Sequence, residues 1–90
     1  MNSVKPKPSV VFQEVEGEMV LLDLDSEKYF ALDPVGTRCW ELLAEHGDVE
    51  RIVTTMVTEY DVDEDTLRED LGTLLARLEA AELVVRADAA

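Results

Sequence analysis

A single thiol, a single imidazole and several groups of carboxylates are the side chains of this chain that could do covalent or metal chemistry. Cys39 and His46 are the sole cysteine and histidine, and a thiol beside a base is the minimum for nucleophilic catalysis. Their spacing places both on one helix face, but a rise of ~1.5 Å per residue puts them ~10 Å apart. That separation is too large for proton transfer, and the pair reads as a buried thiol and a helix-end histidine. A lone cysteine also excludes an internal disulfide and a cysteine-cluster metal site, which suits a reducing compartment. Asp61, Asp63 and Asp65 alternate as at the start of a calcium loop, which needs glycine at its sixth position and glutamate at its twelfth. Thr66 and Gly72 stand there, so the aspartates read as turn and cap residues. With no nucleophile and base in reach of one another, the expectation is a protein that is not an enzyme and needs no cofactor.

The elements that carry these residues follow from periodicity and punctuation. Met1 to Pro8 holds two prolines and two lysines without periodicity and reads as a mobile arm over 1–8. From Val10 to Leu32 branched and aromatic residues alternate with Glu16-Gly17-Glu18 and Asp25-Ser26-Glu27 turns, the pattern of a three-stranded antiparallel meander ending in Lys28-Tyr29-Phe30-Ala31-Leu32. Three strands need a covering layer. Asp33-Pro34, Asp48 and Asp63 each open a segment with helical spacing, and Gly47 closes the first. The third helix carries Leu67, Leu71, Leu74, Leu75 and Leu78, and Leu83-Val84-Val85 can add a short strand before the chain frays over 86–90. Trp40, beside Leu42 and Leu43, reads as core. Phe30 and Leu32 should point inward, with Tyr29 near the rim. The expected fold is α+β, a winged helix-turn-helix-like domain over 9–85 with a three-stranded sheet followed by three helices.

Charge narrows the partners. In 90 residues, 21 acids against 8 bases leave a net charge of −13. Nucleic acids and anionic membranes are bound through lysine and arginine, so a surface of this sign repels both. No run approaches the ~20 apolar residues of a membrane span, and no secretory signal is evident, which points to the cytoplasm. Apolar residues make up 47% of the chain, enough for a core in one domain.

Together Leu21-Leu22-Asp23-Leu24-Asp25, Lys28 to Asp33, Gly36, Trp40-Glu41-Leu42-Leu43, Tyr60-Asp61-Val62-Asp63 and the leucine helix closing on Glu82-Leu83-Val84 resemble the PqqD-like family. The resemblance is nearest to the stand-alone leader-recognition proteins of lasso-peptide biosynthesis and runs from about Val10 to Val85. Asp33-Pro34 stands where many PqqD-like proteins have asparagine and a non-proline residue. The resemblance implies that the leader of a ribosomally made precursor adds as a strand to the third strand and is covered by the third helix. It also implies two downstream partners, a leader peptidase and an ATP-dependent macrolactam synthetase.

The residues support that implication physically. A meander leaves an edge whose main-chain groups can pair with an extended peptide. The peptide-binding residues expected on this basis are Lys28, Tyr29, Phe30, Ala31 and Leu32 on the strand and Leu67, Asp70, Leu71 and Leu74 on the helix. The same edge could instead pair two copies, so the chain is expected to be a monomer or an edge-paired dimer. Two other readings share the topology: a winged-helix transcription regulator and an unrelated protein-binding adaptor. The first is disfavoured because the third helix has only Arg68 and Arg77 among Glu64, Asp65, Glu69, Asp70 and Glu79.

Overall fold

The structure, a computed structural model, describes residues 3–86. Strands β1 (Val4–Pro6), β2 (Val10–Val15), β3 (Glu18–Asp23) and β4 (Tyr29–Leu32) are followed by helices α1 (Pro34–Glu45), α2 (Val49–Glu59) and α3 (Glu64–Ala80) and by β5 (Val84–Arg86). The expected meander is β2-β3-β4, with Val11 opposite Leu22 and Leu22 opposite Tyr29. Its two hairpins turn through left-handed residues: Glu16 and Gly17 in the first and Glu27 in the second.

Each helix begins at the aspartate that the sequence marks. The Asp33 carboxylate accepts from the Gly36 N–H at 2.7 Å, Asp48 from the Glu50 N–H at 3.0 Å and Asp63 from the Thr66 N–H at 3.2 Å. These caps satisfy donors that have no partner inside a helix. Gly47 ends α1 with φ +70°, and a Cβ there would collide with the carbonyl oxygen of Val4. Two ion pairs fix the helical layer: Arg38 grips Glu59 at 2.7 and 2.8 Å across α1 and α2, and Arg68 grips Glu50 at 2.8 and 3.0 Å across α3 and α2.

The helices cover one face of the sheet. Trp40 is 1% exposed, in a core with Leu21, Ile52, Met56, Leu78 and Leu83, and Phe12 of β2 meets its ring edge-on at 5.5 Å between centroids. Thr37 locks α1 to the sheet: its buried hydroxyl accepts from the Met19 N–H at 2.8 Å and donates to the Leu32 carbonyl at 3.3 Å.

The mobile arm expected over 1–8 is a correction. Val4–Pro6 pairs antiparallel with β5, Val4 is fully buried, and its N–H donates to the Gly47 carbonyl at 2.8 Å. The Lys7 N–H continues the contact to the Leu83 carbonyl at 3.0 Å. Three residues are too few to show a period, and their partner strand lies at the opposite end of the chain, so nothing local announces the pairing. The folded unit therefore begins before Ser9. Arg86, assigned to the fraying tail, is in β5 and pairs with Glu79 at 2.7 Å; the rest of that tail, and Met1 and Asn2 of the arm, lie outside the described residues.

Candidate functional site

In the β2-β3-β4 order, β4 is an outer strand, and among the described residues nothing pairs with its far side. Its free groups follow from the register. The Asp23 N–H donates to the Lys28 carbonyl at 2.9 Å, and antiparallel pairs alternate between bonded and non-bonded. Leu21 and Phe30 are then a bonded pair, and Met19 and Leu32, next in that phase, are bridged by the Thr37 hydroxyl, which accepts from the Met19 N–H and donates to the Leu32 carbonyl. Tyr29 and Ala31 consequently turn their N–H and C=O groups toward the open edge.

Beside that edge lies an apolar groove of about 590 Å³, within the size range of ligand sites. Seven of the nine residues expected from sequence line it: Phe30, Ala31 and Leu32 from β4, and Leu67, Asp70, Leu71 and Leu74 from α3. Leu32, Leu67 and Leu71 are buried floor, while Phe30 and Leu74 are half-buried and rise toward its mouth. The helical spacing of 67, 70, 71 and 74 keeps these α3 positions on one stripe.

Lys28 and Tyr29 do not line the groove. Tyr29 is 76% exposed, as strand alternation requires once Phe30 points inward. The Lys28 carbonyl closes the hairpin to Asp23 and its N–H donates to the Ser26 hydroxyl at 3.3 Å, so its main chain is engaged in the turn. The groove also takes residues that the sequence reading did not assign to it: Val35, Gly36 and Cys39 from α1, Met56, Tyr60 and Val62 from α2 and the loop after it, and Thr73 and Arg77 from α3. Helical spacing from Leu74 and Asp70 could have found Arg77. The α1 and α2 contributions have no local signal, because they depend on which helix faces pack beneath β4.

Electrostatically the groove is mixed. Asp33 and Asp70 supply carboxylates, and Arg77 supplies the cation, its guanidinium 5.2 Å from the centre of the Phe30 ring. Cys39 lies in the floor with Sγ 3.1 Å from Met56 Sδ, and burial, reinforced by the negative charge of Asp33, pushes its thiol up to about 11. At neutral pH it is a protonated packing group. His46 caps α1 and accepts from the Asp48 N–H through Nδ1 at 3.1 Å, so thiol and imidazole have separate partners. No group of three metal-ligating side chains occurs among the described residues.

The family model described as coenzyme PQQ synthesis protein D (PqqD) matches residues 18–84. This chain belongs to the PqqD family. A solved structure of TbiB1 in complex with the TbiA(beta) leader peptide superposes with a TM-score of 0.83 at 42% identity, covering 89% of this chain and 93% of the other. A lasso peptide synthetase B1 complexed with its leader peptide has the same TM-score at 19% identity, covering 92% and 98%, and shares the fold. No curated protein matches the chain in sequence. As a PqqD-like recognition element, the chain has the α+β architecture of these two leader-bound structures, with the open edge of β4 and the α3 groove side by side. No helix among its described residues is long and apolar enough to cross a membrane.

Proposed function

We propose that this chain captures the leader segment of a ribosomally synthesised precursor by adding it as a strand to β4, under α3, in lasso-peptide biosynthesis. The observation that carries the reading is the juxtaposition of Tyr29 and Ala31 main-chain groups, unpaired among the described residues, with an apolar groove lined by Phe30, Leu71 and Leu74. Main-chain bonds hold any extended segment, and pockets for alternate side chains select among segments. Likeness to a leader-bound relative at 42% identity supports the choice of ligand. A dissociation constant near 1 μM corresponds to about −8 kcal/mol, within reach of a few buried anchors and a short ladder.

In this reading the protein performs no chemistry. It works in the cytoplasm and presents the bound leader to a leader peptidase and an ATP-dependent macrolactam synthetase. A winged-helix DNA reader fits less well: Arg68 is held by Glu50 and Glu64, and Glu64, Asp65, Glu69 and Asp70 are exposed on α3.

The test is a titration with the leader peptide of its own precursor, followed by fluorescence anisotropy and backbone amide shifts. Saturable binding with shifts concentrated on residues 29–32 and 67–77 is expected. Absence of binding at about 100 μM peptide, where the free energy would be weaker than roughly −5.5 kcal/mol, sends the assignment to an unrelated adaptor.

A further inference from the structure

Arg38, Arg68 and Arg86 each hold a carboxylate of this chain at 2.7 to 2.8 Å. Arg77 is in no ion pair among the described residues, although it belongs to a protein of net charge −13. Among the described residues it is also the sole cation lining the groove. Its guanidinium is placed by the Phe30 ring, 5.2 Å from the centroid, an attraction between cation and ring face that leaves the N–H donors at the guanidinium edge free. A fork of donors so positioned matches a carboxylate, which it can grip with two parallel bonds.

Resting on the strand-addition reading, we propose that Arg77 is a specificity residue of the groove and reads a carboxylate side chain, Asp or Glu, of the bound peptide. Elsewhere this strongly acidic surface repels acidic segments, so one favourable position discriminates sharply between candidate leaders. Asp70 gives the site polarity. It lies two helical turns before Arg77, ~10 Å along the axis, and an extended segment advances ~3.3 Å per residue. The preferred ligand therefore carries its acid about three residues from a basic or hydrogen-bond-donating side chain that meets Asp70, with apolar anchors between.

Selection of random dodecapeptides by display on the full chain and on R77Q, R77K and R77E tests this, each variant first checked for fold by circular dichroism. The wild type should enrich apolar peptides with one Asp or Glu position, R77Q should lose that position, and R77E should replace it with Lys or Arg. R77K should keep the acid preference with weaker binding. Changing the acid of a selected peptide to its amide asks the same question of the unaltered protein: affinity for the wild type should fall about tenfold, and affinity for R77Q should not change. Enriched peptides with no acidic position, or with one indifferent to R77Q, overturn the role of Arg77 and leave groove binding standing. Failure of the wild type to enrich any peptide overturns both.

Discussion

Leu71 and Leu74 stand three positions apart on α3, and both line the groove, yet they answer to different forces. Leu71 is 3% exposed and belongs to the core with Leu67, Leu75 and Leu78, whereas Leu74 is half-buried and packs against that core from the groove side. An Asp at 71 would bury an unpaired charge and cost the fold itself. Leu74→Asp is the cleaner probe: it should keep the circular dichroism spectrum while weakening leader binding about tenfold or more, near 1.4 kcal/mol. Equal leader affinity in folded Leu74→Asp would remove α3 from the site. Asp23 is fully buried and accepts from the Ser9 hydroxyl at 2.6 Å, the Asp25 N–H at 3.0 Å, the Lys7 ammonium at 3.0 Å and the Ser26 hydroxyl at 3.1 Å. These donors, Ser9 foremost, hold its carboxyl well below the ordinary 3.8. A carboxylate with a lowered folded pKa stabilises fully above its unfolded value and loses that contribution as the pH falls through the folded one. Thermal melts of Asp23→Asn should therefore show a lower midpoint than the wild type at neutral pH and a gap that narrows on acidification below 3.8. A gap independent of pH would assign the loss to packing alone.

At the scale of the element, β4 is a strand whose two sides have different work. Phe30 and Leu32 face β3 with their main-chain groups and the core with their side chains, and Tyr29 and Ala31 do neither. A proline at 31 would remove an N–H from the open edge while sparing the ladder to β3, since an edge strand tolerates a missing donor on its free side. Ala31→Pro is expected to fold and to lose at least about tenfold in leader affinity, a hydrogen bond and its neighbours having gone. Titration calorimetry is a suitable readout, and unchanged affinity would count against strand addition on β4. Sequence reasoning located this strand and the α3 stripe through local periodicity, with the boundary of β4 displaced by one residue at Lys28. It could not assign Lys28 to the turn, because that depends on the bonds to Asp23 and Ser26 that close the hairpin.

For the whole molecule, the first and last described strands form a single structural unit. β1 and β5 close against each other, Val4 is tucked under the end of α1 at Gly47, and Lys7 reaches across to Asp23 of the main sheet. Deleting residues 1–8 removes a fully buried valine, three main-chain bonds outside the β1–β5 ladder and a donor of the Asp23 cluster. Burial of the valine side chain alone is worth about 2 kcal/mol. Urea unfolding of the truncated chain should show a midpoint lowered accordingly; an unchanged midpoint would restore the mobile-arm description.

The sequence by itself determined the α+β class, the three aspartate-capped helices, the meander and seven of the nine groove residues expected from it, because caps, turns and periodic burial act over a few neighbouring positions. Net charge, a sum that needs no coordinates, is likewise read from the sequence alone. Tertiary structure decided the rest: the pairing of Val4–Pro6 with Val84–Arg86, the α1 and α2 residues in the groove floor, and the placement of Arg77 on the Phe30 ring. Each of these is a contact between segments distant in sequence, formed only when packing of the common core brings their faces together, so no local pattern in the chain records it.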